Sequence, residues 1–331
     1  MSRSNAFPPK TAPDLSIVIV NWNTRDLLAQ CLESVVASPN LRIPDSVNQP
    51  GMHDLPPITI EVRVVDNAST DGSAHMVRAR FPWVRLVENR ENVGFARANN
   101  QAIRESEAHY VLLLNPDTEV TLGALEILVR FIDAHPQASA VGPRLLNPDG
   151  TLQPSCHPAP TLPGELWRLF HLDALWPYGL YPMAEWDLDT PRRVDVVQGA
   201  CLLLRRAALD QVGLFDEAYF MYSEEVDLCH RLRRADWSLY WVPEAQVVHY
   251  GSQSTQQMAA EMFLQLYQSK LLYFRKHHGW LAAQVYKLIL VAALARLSLS
   301  RLAWLERFPQ RQRHLTLAGH YLRLLRAFPE L

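Results

Sequence analysis

Cysteine is scarce in this chain: four occur in 331 residues, at positions 31, 156, 201 and 229, and no two form a C-x-x-C pair. Thiolate zinc sites and disulfide frameworks need closely spaced cysteines, so neither is expected, and the usage fits a reducing cytosol. Glycine is sparse as well, at 13 residues. Neither G-x-G-x-x-G nor G-x-x-x-x-G-K occurs, so Rossmann-type NAD binding and P-loop hydrolysis both lack their phosphate cradle. No uninterrupted apolar run approaches the roughly 20 residues of a spanning helix. Met1 to Asp14 is polar and proline-containing, without the apolar stretch of a secretion signal. Residues 1–13 are therefore expected to form a flexible tail.

Charge is nearly balanced, at −2 overall, yet unevenly placed. From Lys270 onward 11 Lys and Arg face only Glu306 and Glu330, and the body before them is acidic. A basic end after an acidic body suits an anionic surface such as a membrane, and equally a solvated basic helix. No nucleic-acid partner is expected.

Leu15–Val20 is a short apolar, β-branched run, the pattern of a strand buried on both faces. Thr24 is placed to cap a helix carrying Leu27, Leu28, Cys31, Leu32 and Val35 at helical spacing. Residues 38–57 hold five prolines and predict an exposed loop. Ile58–Val65, Val84–Glu88 and Tyr110–Leu114 read as further strands, and Ala96–Glu105 as a helix. Strands alternating with helices predict an α/β domain over 14–255, with a mainly parallel central sheet flanked by helices. Ligands of such sheets bind beyond the carboxyl ends of the strands, so the loops after residues 20, 65, 88 and 114 are where function is sought.

Those loops are distinctive. Asn115-Pro116-Asp117 ends the apolar run Leu112-Leu113-Leu114: it is either a strand-ending turn or a carboxylate for a divalent cation, which commonly takes only one or two protein carboxylates beside substrate phosphates. Asp66 in Val65-Asp66-Asn67-Ala68-Ser69 could accept the N3–H of uracil or thymine, or cap a turn. In Asn92-Val93-Gly94-Phe95-Ala96, small residues at a helix mouth could let amides approach a phosphate. Ser223 is placed to cap a helix whose first turn holds Glu224 and Glu225, where the dipole favours an ionised carboxylate available as a general base. His249, beside Gly251, is either a metal ligand or a packed histidine.

Taken in order, these segments resemble family-2 glycosyltransferases, which have the GT-A fold: Asn21-Trp22-Asn23, V-D-N-A-S-T-D-G-S from Val65, N-V-G-F-A-R-A-N-N from Asn92, N-P-D, Q-G-A at Gln198-Gly199-Ala200, F-D-E at Phe215, E-E-V-D-L-C at Glu224 and H-Y-G-S at His249. The likeness spans Leu15 to Ser254 and is strongest to the rhamnosyltransferase branch. It implies an inverting transfer of a sugar, with rhamnose the suggested case, from a dTDP- or UDP-sugar to a glycan or lipid-linked acceptor in cell-surface polysaccharide synthesis. By motif, it implies Asn21, Asn23, Asp66, Asn92, Gly94, Asn115, Gln198 and Gly199 around the donor and nucleotide. Asp117 and His249 would hold Mg²⁺ or Mn²⁺, Glu225 would be the catalytic base, and Glu224 and Asp227 would lie on the acceptor side. Two departures stand out: Asn115 replaces the first carboxylate of D-x-D, and Glu225 stands where Asp is usual. They leave open a catalytically silent sugar-nucleotide-binding or scaffold protein. A nucleotidyltransferase is disfavoured because Asn21-Trp22-Asn23-Thr24 offers only Arg25 as a nearby cation.

The remainder, 256–331, is expected to be helical and basic. Leu317, Tyr321, Leu324 and Phe328 share one stripe opposite His320, Arg323 and Arg326. Such a helix either lies on anionic lipid or packs onto the catalytic domain. The expected location is the cytoplasm, peripheral to the inner face of the cell membrane.

Overall fold

Leu15, Ile17, Val18 and Ile19 are wholly buried, as a strand covered on both faces requires. They belong to β1 (Leu15–Asn21), an interior strand. The computed structural model describes residues 12–38, 40–43, 56–251 and 259–300. The chain continues with α1 (Arg25–Val36), β2 (Leu41–Arg42), β3 (Ile58–Asp66), α2 (Ser73–Arg80), β4 (Arg85–Glu88) and α3 (Phe95–Arg104). Next come β5 (Tyr110–Leu114), β6 (Thr118–Val120), α4 (Ala124–Ala134), β7 (Ala138–Leu146), β8 (Leu152–Gln153), β9 (Cys156–His157) and α5 (Leu162–Leu169). Last are β10 (Arg192–Val194), β11 (Val196–Val197), β12 (Cys201–Arg205), α6 (Arg206–Val212), α7 (Glu224–Arg234), β13 (Ser238–His249) and α8 (Ala259–Ser300).

The sheet order is β10-β13-β7-β12-β5-β1-β3-β2, with β4 beside β3, β6 beside β13 and β8 beside β7. β5, β1, β3 and β4 run parallel. β12 then enters antiparallel to both β5 and β7. The expected parallel sheet is thus one half of a mixed one. This arrangement concentrates function on one edge. The parallel strands end there at Asn21, Asp66 and Leu114, and antiparallel β12 begins there at Cys201, opposite Leu114. His249, at the end of β13, lies opposite Thr118 of β6. Apolar clusters cover both faces of the sheet, one on the side of α1, α2 and α4, the other on the side of α3, α6, α7 and α8.

Two expectations need correction. Within 38–57, residues 39 and 44–55 lie outside the described residues, but Ser38, Asn40 and Leu41 are buried rather than exposed. Leu41–Arg42 adds a short parallel strand to β3, whose free edge it covers. At both expected helix caps the side chain does something else. The Thr24 hydroxyl donates to Asn21 Oδ1 at 2.7 Å, and Ser223 takes a left-handed φ of 65° without a side-chain cap bond.

α8 is two helical segments meeting at Gly279, whose φ of 86° breaks the regular backbone. Both segments pack onto the body. Lys270 pairs with the buried Glu165 of α5 at 2.6 Å, and Arg296 donates to the Phe170 carbonyl at 2.7 Å. Among the described residues no helix is long and apolar enough to cross a membrane. The stripe at 317–328 and the tail at 1–11 lie outside the described residues.

Candidate active site

At the functional edge a cleft of about 330 Å³ opens between the ends of β1, β5 and β13, the 198–200 turn and the start of α7. Asn115, Pro116, Asp117, Gln198, Gly199, Glu224, Glu225 and His249 all line it, as does Asn92. Asn-Pro-Asp is both things the sequence allowed. It is a tight turn, closed by the Thr118 hydroxyl on the Asn115 carbonyl at 2.7 Å, and it delivers a carboxylate to the cleft. The Asn115 amide donates to the Ala200 carbonyl at 2.9 Å, which ties this turn to the Gln198-Gly199-Ala200 wall.

Asp117 Oδ1 lies 3.3 Å from His249 Nε2, and both residues are buried, at 6% and 9% exposure. Asn115 Nδ2 is 3.4 Å from the same ring nitrogen. On its other side, His249 Nδ1 is 2.6 Å from Gln153 Oε1. Asp117 and His249 meet because β6 and β13 pair in this register, so a carboxylate from one loop and an imidazole from another converge.

Across the cleft, Glu224 and Glu225 begin α7. Tyr222 and Ser223 precede them with φ of 67° and 65°, a left-handed pair uncommon for residues with side chains. That turn points the first helical residues into the cleft. Glu224 is buried, Glu225 is partly buried, and each has one oxygen sealed from solvent without a hydrogen-bond partner. Burial pushes Glu225 above the usual carboxylate range, while backbone amides at the helix start oppose it. Burial, reinforced by the neighbouring Glu225 charge, pushes Glu224 well above that range. Burial and their mutual repulsion thus both resist a second negative charge on the pair. Gly199 approaches the same carboxylate: a Cβ there would be 4.0 Å from that of Glu225.

The nucleotide-side residues divide. Asn21, Asn23 and Asp66 form a corner of their own rather than lining the cleft. Asn21 Nδ2 donates to Asp66 Oδ1 at 2.8 Å; the Ser69 amide donates to Asp66 Oδ2 at 3.0 Å. The Thr70 amide donates to Asn23 Oδ1 at 2.7 Å. Gly94 departs from the phosphate-cradle expectation. Its amide is occupied by Asn92 Oδ1 at 3.0 Å, and that of Phe95 by the Phe220 carbonyl at 2.7 Å. Asp227 does not line the cleft. It is fully buried and bound by Arg231 at 2.8 Å, Lys276 at 2.7 Å and His277 at 2.7 Å, so it fastens α7 to α8.

A profile of glycosyl transferase family 2 matches residues 16–213, which include the ends of β1 and β5 and the 198–200 turn of this cleft. The chain belongs to that family. It is a glycosyltransferase with the GT-A fold and with rhamnosyltransferase relatives. It is 34% identical over 237 residues to an N-acetylglucosaminyl-diphospho-decaprenol L-rhamnosyltransferase of Mycobacterium tuberculosis, covering 67% of this chain and 76% of the relative. In fold it is similar to the mannosyltransferase PcManGT from Pyrobaculum calidifontis, solved with GDP-Man and Mn²⁺: TM-score 0.54, 17% identity, 96% of this chain and 88% of that one. It is similar also to GalNAc-T7, solved with UDP, GalNAc and Mn²⁺, at TM-score 0.51 and 15% identity. There the match covers 72% of this chain but only 44% of GalNAc-T7.

The Mn²⁺ in those two glycosyltransferases raises the question of whether the residues here fit a divalent cation. They do. A hard carboxylate oxygen and an imidazole nitrogen, both buried and within 3.3 Å, suit Mn²⁺ or Mg²⁺. Among the described residues no group of three or more His, Cys, Asp or Glu could hold a metal.

Sequence reasoning missed several members of this family-2 cleft. Trp22, Asn67, Phe95 and Tyr222 line it. Trp22 was findable: it follows directly on the end of β1, at the ligand edge where the loop after residue 20 was already sought. Tyr222 was not, because its placement depends on the left-handed turn.

Proposed function

We propose that this glycosyltransferase moves rhamnose, with inversion, from a dTDP- or UDP-linked donor to a GlcNAc-diphospho-lipid or related glycan acceptor in cell-surface polysaccharide synthesis. The observation that carries the reading is the convergence of Asp117, His249 and Glu225 on one cleft. The first pair suits a diphosphate and its cation, and the carboxylate suits the acceptor hydroxyl. The kinship with the mycobacterial rhamnosyltransferase supports the sugar and the lipid-linked acceptor.

In this reading the donor diphosphate lies against Asp117 and His249, which would hold Mg²⁺ or Mn²⁺; when bound, the cation neutralises charge developing on the departing nucleoside diphosphate. Glu225 takes the proton of the acceptor hydroxyl. The oxygen attacks the anomeric carbon as the bond to the diphosphate breaks, and the nucleotide leaves with the electron pair. One base suffices because the leaving group needs no proton, unlike the two-carboxylate hydrolysis of glycosides. Glu224, as a neutral acid, can donate to a sugar oxygen. Asn92, Asn115, Gln198 and Gly199 shape the donor pocket. Asp66 keeps acceptor capacity beyond its two bonds and would take the N3–H of the base.

We place the enzyme at the cytoplasmic face of the membrane. Leu175, Trp176, Tyr178 and Leu180 are exposed beyond α5, and Trp280, Leu281 and Leu288 on the second segment of α8, which packs on α5. Exposed aromatic and leucine side chains, with Lys287 on the same helix, are suited to an anionic interface that presents a lipid-linked acceptor. The four described cysteines are buried and unbonded, as suits a reducing compartment.

The test is a panel of UDP-, dTDP- and GDP-sugars with Mn²⁺, scored for thermal stabilisation and nucleotide release. Stabilisation and release with dTDP-rhamnose support the reading; a response to GDP-sugars alone overturns the donor assignment.

A further inference from the structure

Gln153 belongs to no motif in the sequence, yet a chain of hydrogen bonds runs through it to the cleft. The chain starts at Asp149, in the turn joining β7 to β8. A carboxylate only accepts, so the Thr151 hydroxyl donates to Asp149 Oδ1, at 2.6 Å. The Thr151 oxygen is then the acceptor for Asn147 Nδ2, at 2.9 Å. That fixes the orientation of the Asn147 amide and makes its Oδ1 the acceptor for Gln153 Nε2, at 2.8 Å. Gln153 Nε2 also donates to the backbone carbonyl of His249 at 3.2 Å. With both amide hydrogens spent, Gln153 presents only its Oε1 to His249 Nδ1, at 2.6 Å. The ring must therefore carry a hydrogen on Nδ1.

We infer that Gln153 is a positioning residue that locks His249 in the Nδ1–H tautomer and so prepares Nε2 as a ligand for the donor-bound cation. In the neutral ring, Nε2 then turns its lone pair toward Asp117 Oδ1 at 3.3 Å. Two lone-pair-bearing atoms facing each other across that gap are matched by a cation between or beside them. Asn115 Nδ2, at 3.4 Å, is an N–H donor to the same nitrogen, consistent with its being unprotonated. A partner on the non-coordinating nitrogen both orients the ring and raises its basicity as a ligand. The hairpin makes the device rigid: Leu145 pairs with Gln153 across β7 and β8, and the turn is closed by the Asn147 amide on the Thr151 carbonyl at 2.8 Å. This inference rests on the proposed reading of His249 as a cation ligand, and its test separates the two.

The experiment has two arms on the full chain. In the first, ¹⁵N-histidine labelling of metal-free protein at about pH 8.5, above the ordinary imidazole range, reads the His249 tautomer, assigned by difference from His249→Ala. The expected result is Nδ1 protonated and Nε2 bare in the wild type and in Gln153→Glu, and a mixed or reversed tautomer in Gln153→Met, which keeps the bulk. A wild-type Nε2–H tautomer, or no change in Gln153→Met, overturns the inference, and the wild-type spectrum decides even where a variant does not fold. In the second arm, Mn²⁺ affinity with dTDP present should fall about tenfold in Gln153→Met and recover in Gln153→Glu. Unchanged affinity in Gln153→Met overturns the proposed purpose of the lock. Unchanged affinity in His249→Ala, with the tautomer result intact, overturns the ligand reading alone.

Discussion

The amide of Phe95 donates to the carbonyl of Phe220 at 2.7 Å, and Gly94 permits that approach, since a Cβ at position 94 would lie 2.4 Å from the same oxygen. The N-x-G-F-A motif therefore braces the loop that carries the left-handed Tyr222–Ser223 turn and the two glutamates behind it. Ser269 of α8 supports the same loop from the other side, donating to the Met221 carbonyl at 2.7 Å.

Gly94→Ala should damage this brace twice, through a φ of 85° and through a clash with backbone that cannot rotate away. We expect a loss of about 1–3 kcal/mol in denaturant unfolding and a fall in kcat larger than that in donor affinity. Unchanged stability and kcat would separate the motif from the catalytic loop.

Glu224 gives a stability prediction with a definite sign. Burial raises its folded-state pKa well above the ordinary glutamate range, so the folded state holds a proton that the unfolded chain gives up. The associated stability is complete below the ordinary glutamate range and is lost as pH rises through the raised value. Glu224→Gln should therefore unfold at a higher Tm than wild type at about pH 8, with the gap closing toward about pH 4. An equal gap at both pH values would contradict it.

The same pair predicts a pH–rate profile. Glu225 must be ionised to act, and burial raises its pKa, so kcat/KM should climb with pH through a midpoint above 4.5, the ordinary glutamate value.

Much of this site was legible in the sequence, for a physical reason. Strand ends in an α/β sheet carry their polar residues into the ligand edge, which pointed to Asp117 and His249, while Glu225 and Gln198 were placed through the resemblance of their motifs to the family. The burial of Asp227 away from the cleft was not legible because a helix turns 100° per residue, and the face it presents depends on whether a partner such as α8 packs behind it. Gln153 was invisible because β8 is two residues long and its role appears only once β7 lays it beside β13. The antiparallel entry of β12 was also hidden, since a single apolar strand carries no mark of direction.

Asp227 makes that correction measurable. Three cationic or hydrogen-bonding partners, His277 foremost, hold its carboxyl well below the usual range against the opposing effect of burial. Its contribution is present above the ordinary aspartate range and lost as pH falls through the depressed value. Asp227→Asn should cost about 2–4 kcal/mol at neutral pH by removing the buried charge shared by Arg231, Lys276 and His277, with the difference from wild type shrinking in acid. Unaltered stability with impaired acceptor affinity would restore the acceptor-side role.

Metal removal tests the other side of the cleft. Chelation with EDTA should abolish transfer and Mn²⁺ should restore it. Asp117→Asn should lower kcat/KM at least about a hundredfold, the scale of charge stabilisation by a divalent cation.

The most direct measurement is sugar transfer by Glu225→Gln beside wild type, with dTDP-rhamnose, Mn²⁺ and a GlcNAc-diphospho-lipid acceptor, donor binding being followed in parallel. The account predicts donor binding within about twofold of wild type and transfer slowed by about 10² to 10⁴, the usual contribution of a general base. A folded Glu225→Gln enzyme that transfers at the wild-type rate would contradict it.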